Sequence, residues 1–286
     1  MNAPFNPLAF APPETIRLRV LSLGAGVQST TLALMAAQGE VGPMPDCAIF
    51  ADTHWEPAAV YEHLRWLSSP NVLPFPVHIV SAGDIRANLV DASAGKRWAS
   101  IPAFTRTVRR GRVDIGMIRR QCTKEYKIVP IRRQVRALAG HTRKRSPCFP
   151  VVEQWIGISF DEAIRIKPSF EDWQVNRWPL VERGMTRQDC LRWLERNAYP
   201  LPPKSACIGC PFHDDDMWRD MRAHDPVAWA DAVAIDRAIR TGLRGIRGDV
   251  FLHRSAVPLD QADLMSIEDR GQLSLWGNEC EGMCGV

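Results

Sequence analysis

A short apolar run that stops on a glycine-rich loop is the feature that most constrains this chain. Ile16 to Leu23 alternates and then turns apolar, as a strand entering a core does. Gly24-Ala25-Gly26-Val27-Gln28-Ser29 follows directly. Ser29 to Gln38 then has helical spacing, with Leu32, Met35 and Ala36 on one side and Gly39 as the stop. Small residues between a strand and a helix let the backbone approach a ligand closely. Successive N–H groups and the helix N-terminus then face an anion, and Ser29, Thr30 and Thr31 add hydroxyl donors. The Gly-Lys-Ser/Thr ending of a Walker loop is absent, and so is the third glycine of the dinucleotide fingerprint. A turn of this kind also serves plain strand–helix packing.

The pattern then repeats. Cys47–Ala51 reads as a buried strand, Pro57–Leu67 as a helix with Pro57 in its first turn, and Val77–Val80 as a third strand. Strands alternating with helices predict a parallel sheet with helices on both faces. Residues 95–116 read as a basic, irregular, mobile loop. Lys124–Ala139 reads as a helix with Pro130 in an early turn, and residues 141–150 as a linker. Gln154–Ile158 is a further strand. Thr186–Asn197 is an amphipathic helix capped by Thr186, with Cys190, Leu191 and Leu194 inward. A proline-rich turn, Tyr199–Lys204, leads to short helices and a glycine-rich tail. The expected division is an N-terminal arm over 1–15, a nucleotide-binding α/β domain over 16–165, and a small helical, cysteine-containing region over 166–286.

A second edge feature supports the glycine loop. Asp52-Thr53-His54-Trp55-Glu56-Pro57 puts an acid and a hydroxyl at the carboxyl end of the neighbouring strand, where open α/β sheets bind ligands. Asp52 as a helix cap is the alternative. With 45% hydrophobic and 24% charged residues the chain can build a core, which excludes wholesale disorder. No apolar run is long enough to span a bilayer, and Met1–Glu14 has no basic region followed by an apolar block. A cytoplasmic location and no membrane partner are expected.

The net charge of +4 says little by itself. Its placement says more: Arg106, Arg109, Arg110, Arg112, Arg119, Arg120, Lys124 and Lys127 are crowded together, with Arg132, Arg133 and Arg136 close behind. Such a cluster favours nucleotide phosphates or a nucleic-acid backbone; a solvated face is the plainer reading. Of the 8 cysteines, Cys47 and Cys190 lie on apolar faces and suit a core, and Cys148 carries no signal. Cys207-Ile208-Gly209-Cys210 with a trailing His213 suits structural zinc, a redox dithiol or half of an iron–sulfur site. Cys122 would bring the candidate ligands to three cysteines from two places. Among histidines, His54 and His213 stand out. Most Trp residues suit packing, with Trp55 and Trp98 as candidates for base stacking.

The glycine loop resembles the PP-loop of the adenine-nucleotide α-hydrolase-like superfamily, Ser-Gly-Gly-x-Asp-Ser, with Gly24 for the first Ser, Ala25 and Gly26 for the glycines and Ser29 for the last Ser. Gln28 in place of Asp is similar to the PAPS (phosphoadenosine phosphosulfate) reductase branch. Asp52-Thr53 with Glu56-Pro57 resembles that branch's Asp-Thr-Gly segment. Cys122-Thr123 to Lys127 and Pro130 is similar to the Cys-Thr-x-x-x-Lys-x-x-Pro segment of PAPS-reductase-like sulfur-transfer proteins, including those of DNA phosphorothioation. Gly157 to Glu162 with Arg165 resembles the family's Gly-x-Arg-x-x-Glu-Ser segment, with Ser159 for Arg. Trp178-Pro179-Leu180, Tyr199-Pro200 and Ile208-Gly209-Cys210 continue the order, so the likeness spans about residues 20–213.

The resemblance implies a Rossmann-like (HUP, PP-loop-type) parallel sheet. It implies that Ser22, Gly24, Ala25, Gly26, Gln28, Ser29, Asp52, Thr53 and Gly157 bind ATP, a related adenine nucleotide or a sulfonucleotide. Arg119, Arg120, Lys124 and Lys127 would neutralise its phosphates, with Mg as a further counter-ion. Cysteines at the two segments hold a [4Fe–4S] cluster in that family, which favours iron–sulfur over zinc at Cys122, Cys207 and Cys210. The fourth ligand stays open between His213, Cys280, Cys284 and a bound sulfide or substrate. The implied activity is nucleotide-dependent sulfur transfer, with tRNA or DNA as acceptor and a cysteine desulfurase as partner. A sulfonucleotide reductase working with thioredoxin, with Cys280 or Cys284 as nucleophile, is the alternative. A non-catalytic nucleotide- or nucleic-acid-binding module with structural zinc is the third.

Overall fold

The computed structural model describes residues 13–141 and 146–265. Five strands form one parallel sheet: β1 (Leu18–Leu23), β2 (Cys47–Asp52), β3 (Val77–Ser81), β6 (Val152–Ile156) and β7 (Gln174–Arg177), in the order β3-β2-β1-β6-β7. The chain moves outward from β1 to β3, then crosses back to place β6 on the other side. The edges of β1 and β6 therefore diverge at a topological switch point. The outermost strand, β7, comes from beyond residue 165.

Helices cover both faces. On one face lie α1 (Val27–Ala37), α2 (Ala58–Leu67) and α6 (Arg187–Arg196), whose Leu32, Leu34, Leu64 and Leu194 share a core with Leu21, Phe50 and Trp155. Cys190 lies in this core, and burial pushes its thiol up to about 12, so it is an inert packing residue. On the other face α4 (Val129–Leu138) lays Val135 and Ile131 against Val20, Cys47 and Ile49. The α6 N-terminus has the full capping box, Thr186 with Asp189 as reciprocal partner.

Several elements depart from the expected outline. Pro57 is the N-cap of α2 rather than its first helical residue. The helix expected over 124–139 begins as a π-helical turn, Thr123–Ile128, and becomes α-helical only at Val129, with Pro130 at a position that needs no N–H partner. The largest correction concerns residues 95–116. After α3 (Ile85–Ser93), they form a hairpin, β4 (Phe104–Arg109) and β5 (Arg112–Met117), which pairs with β8 (Asp249–Phe251) in an antiparallel sheet ordered β5-β4-β8. Phe104, Arg106 and Val108 alternate with Thr105, Thr107 and Arg109, a period-two pattern masked by its charges. Arg110 and Gly111 turn the hairpin with φ of 51° and 77°, as a two-residue type I′ loop requires.

A second core joins this small sheet to α3, α7 (Asp215–His224) and α8 (Pro226–Ala238), with Trp218, Ile235, Leu252 and Trp55 at its centre. Buried Asp236 fastens it, accepting the N–H of Leu252 at 2.7 Å and of Leu259 at 3.1 Å. Among the described residues no helix is long and apolar enough to cross a membrane.

One buried histidine sets a pH dependence. His63 of α2 meets the Thr30 hydroxyl through Nε2 at 3.1 Å, and burial pushes its imidazole down from 6.5 to about 4. Above the ordinary value both folded and unfolded chains are neutral there, and stability is indifferent to pH. Below it the unfolded chain takes a proton that the folded one refuses, so stability falls until the pH reaches the folded value. At pH 5 the loss is about 2 kcal/mol from this group. Urea titrations at pH 7 and pH 5 should show it, and His63→Gln should remove that part of the difference; an unchanged difference would sink the assignment.

Candidate functional site

The glycine loop sits at the switch point. Gly26 is the N-cap of α1, and no side chain caps the helix or places an acid in its first turn. The first N–H groups of α1 are thus left for a ligand. Ala25 takes φ 55° while fully buried, a left-handed conformation that a residue with a Cβ adopts at some cost. Ser29 Oγ accepts the N–H of Gly24 at 3.1 Å and donates to the carbonyl of Gly26 at 3.3 Å, bracing the loop from within. Ser205 closes it from outside by donating to the Gly24 carbonyl. Gly157, just past β6, lies so close that a Cβ there would stand 2.9 Å from the N and Cα of Ser29.

A cleft opens above this loop. Of the expected nucleotide-binding residues, Ser22, Gly24, Gly26, Gln28, Ser29 and Gly157 line it, together with Lys127. Ala25 does not; its role is the turn. Asp52 does not either: it accepts the Tyr61 hydroxyl at 2.8 Å and the His54 N–H at 2.8 Å, with His54 Nδ1 at 3.3 Å. His54 is half exposed and does not line the cleft. Phe50 and Ala51 provide the β2 edge instead. Arg119 and Lys124 are exposed and outside the lining.

The cations that do line the cleft come from elsewhere: Arg165, Arg187 and Lys204 join Lys127. Sequence patterning had no means of grouping Arg187, at the start of α6, or Lys204, in the proline-rich turn. Glu162 is the acid among them, held by Arg165 at 2.9 Å and by the Gln28 amide at 3.4 Å. The result is a pocket of four cations, one carboxylate and an uncapped helix end, suited to a ligand with several phosphate or sulfate charges.

A second, almost wholly apolar cavity adjoins it. Cys122, Cys207 and Cys210 all line this cavity, with Thr53, Arg120 and Tyr126. Cys122 is the N-cap of the π-helical turn. The Cys207–Cys210 loop is tied to the β2 edge, where the Ile208 N–H donates to the Trp55 carbonyl at 2.8 Å. Trp55 is buried, its indole N–H donating to Asp231 at 2.6 Å, so it braces this loop and is not a base-stacking face. Trp98 is 58% exposed, with Arg244 over its ring at 5.2 Å.

Buried Glu56, which the motif reading quoted but did not place in the site, proves central. Its Oε1 accepts from Thr53 at 3.1 Å and from the Cys207 thiol at 3.5 Å, and Lys127 Nζ stands 4.0 Å away. Thr53 therefore belongs to the cysteine cavity, as does Arg120, which donates to Thr123 at 2.9 Å and lies over the Phe212 ring. Lys127 and Phe212 line both spaces and form their common wall.

The three thiols are a soft donor set around an apolar cavity, which suits iron–sulfur or zinc by its chemistry. Among the described residues, however, no three His, Cys, Asp or Glu side chains are gathered into a ligand group. His213 does not line the cavity. It is buried against Trp218, ring centroids 4.6 Å apart, and neither ring nitrogen has a hydrogen-bond partner. Burial, and secondarily the Lys204 charge, push its imidazole down to about 3, so it is neutral at ordinary pH, as a metal-binding imidazole must be. Cys280 and Cys284 lie outside the described residues.

No family model and no curated protein matches the chain. A solved structure described as phosphoadenylyl-sulfate (PAPS) reductase from Candida auris, in a phosphate complex, is similar at 14% identity and a TM-score of 0.41, over 66% of this chain and 76% of that one. The order of the sheet and the cleft at its switch point make this chain an α/β protein of Rossmann-like architecture.

Proposed function

We propose that this chain is a PAPS-reductase-like enzyme that binds an adenine nucleotide at the glycine loop and uses it for sulfur transfer. The observation that carries this reading is the shared wall: Lys127 and Phe212 line both the cationic cleft and the three-cysteine cavity. A nucleotide phosphorus and a sulfur-bearing group held in the two spaces would meet across one lysine.

In this reading the N–H groups at the start of α1, with Arg165, Arg187 and Lys204, hold the phosphates. An acceptor oxygen attacks the α-phosphorus of ATP, the bond to pyrophosphate breaks, and an adenylated acceptor results. Hydrosulfide then displaces AMP, with the C–O bond breaking as the C–S bond forms and no net change in oxidation state. Lys127 stabilises charge on the phosphate as it builds. Glu56 takes the Cys207 proton when that thiol becomes a ligand. Cys122, Cys207 and Cys210 would hold a [4Fe–4S] cluster, which when bound would supply an open iron site for sulfide; a fourth donor from His213, outside the cavity lining, would close that site instead. A desulfurase or thioredoxin-type partner would deliver the sulfur, and Mg would accompany the nucleotide.

Protein purified without oxygen is expected to contain iron and acid-labile sulfide, both lost in Cys207→Ser and Cys210→Ser. Pyrophosphate release from ATP should fall at least tenfold in Gly26→Asp, which puts a carboxylate where the anion sits. Stoichiometric zinc without iron would overturn the cluster, and unchanged ATP affinity in Gly26→Asp would overturn the loop as the nucleotide site. Thioredoxin-dependent sulfite release from a sulfonucleotide, abolished by Cys280→Ser or Cys284→Ser, would assign the reductase reaction instead.

A further inference from the structure

The β4–β5 hairpin does not line the cleft, yet it carries four arginines, Arg106, Arg109, Arg110 and Arg112. Its register pairs Val108 with Val113 and Arg106 with Ile115 on one face, and Arg109 with Arg112 on the other. Val108, Val113 and Ile115 are 68%, 58% and 55% exposed, an apolar face left open to solvent. Directly opposed like charges destabilise a strand pair. Here Arg109 and Arg112 oppose each other beside Arg110 at the tip, and none of the three forms an ion pair with a described residue. Arg109 and the exposed Arg247 line one shallow depression with Thr105. A polyanion is the partner that relieves this repulsion.

The hairpin is also rooted in the proposed site. Ile101 and Pro102, just before β4, and Arg120 and Cys122, just after β5, are walls of the cysteine cavity. A polymer lying along the ribbon is led to that cavity.

We propose that the β4–β5 hairpin is a duplex-DNA-binding ribbon. Two antiparallel strands fit the major groove of B-form DNA, whereas the major groove of A-form RNA is too narrow to admit them. Arg109, Arg110 and Arg112 reach phosphates, and the open valine and isoleucine face meets base edges and thymine methyls. This deepens the proposed sulfur transfer by naming the class of its acceptor, and it rests on that reading only for the acceptor role.

The test is fluorescence anisotropy with a labelled 20-base-pair duplex in 50 to 200 mM KCl, on the full chain and on R109Q/R110Q/R112Q, alongside a tRNA-sized structured RNA. Binding is expected for the duplex. The triple variant should bind at least tenfold more weakly at low salt, with a log–log salt slope lower by about 3. These side chains are exposed and two of them repel each other, so its thermal melt should be no lower than the parent's. Calorimetry with ATP keeps the two readings apart: nucleotide affinity should be equal in both proteins, and its absence in both would remove the cleft reading while leaving the DNA result intact. No duplex binding at 50 mM KCl, equal duplex binding by the variant, or binding of the RNA in place of the duplex would overturn the proposal. So would self-association of the parent that Val113→Glu abolishes, since the apolar face would then be a contact between copies.

Discussion

Gly209→Ala is expected to disrupt the cysteine cavity severely. A Cβ at this position would lie 2.0 Å from Cη2 of Trp55 and within 2.8 Å of two further ring atoms. The indole cannot swing aside. It is buried in the second core, its N–H is bound to Asp231, and Asp231 is gripped in turn by Arg86 at 2.6 Å. The loop cannot retreat cheaply either, because the Ile208 N–H is bound to the Trp55 carbonyl. Overpacking of this kind costs about 3 kcal/mol, the upper part of the usual range. The variant should melt markedly earlier and, if the cavity holds a metal, should fail to retain it. Trp55→Phe removes the atoms that collide, so the double variant should regain much of the loss. Additivity of the two changes in a double-mutant cycle would show that the contact is not the cause.

Gly157→Ala is expected to act on the other space. Its Cβ would approach the backbone N and Cα of Ser29 to 2.9 Å, and no side-chain rotation can relieve a clash with backbone. The end of β6 and the first turn of α1 must part, which widens the loop that is to grip the anion. A stability loss of about 2 kcal/mol is expected, together with at least a tenfold drop in affinity for ATP by calorimetry. Gly157 does not line the cysteine cavity, so any metal content should be retained. If affinity for ATP is unchanged while stability falls, the spacing of Gly157 from Ser29 serves packing alone.

These two glycines look alike in the sequence and do different things. Gly157 is expected from the resemblance to bind the nucleotide, and its structural reason, close approach of β6 to α1, needs two segments more than 120 residues apart in the chain to be superposed. Gly209 sits inside a Cys-x-x-Cys spacing that suggested metal chemistry, but the residue that requires it is Trp55, on the β2 edge. Asp52 illustrates the opposite case. Its place at a strand end suggested ligand contact, while the nearby Tyr61 hydroxyl and His54 N–H satisfy it locally. The hairpin escapes a reading of apolar periodicity because β4 and β5 alternate arginine and threonine with valine and isoleucine.

Local order decided the parts that sequence could determine by itself. Apolar runs of period two or continuous burial marked β1, β2 and β3, helical spacing marked α1, α2 and α6, and the Thr186 cap followed from one residue and its neighbours. A strand stopping on Gly24-Ala25-Gly26 before a helix was enough to place an anion-binding turn at a sheet edge. The tertiary structure alone decided which charges share that edge. Arg187 and Lys204 reach the cleft because the chain crosses from β3 back to β6 and then returns over the β1 edge, and Glu56 meets Cys207 and Lys127 only once α4 and the Cys207 loop have packed against β2. Periodicity reports which face of an element is buried. It carries no record of which distant element will lie against it, since that is settled by the long-range packing of cores whose residues all look equally apolar in the chain.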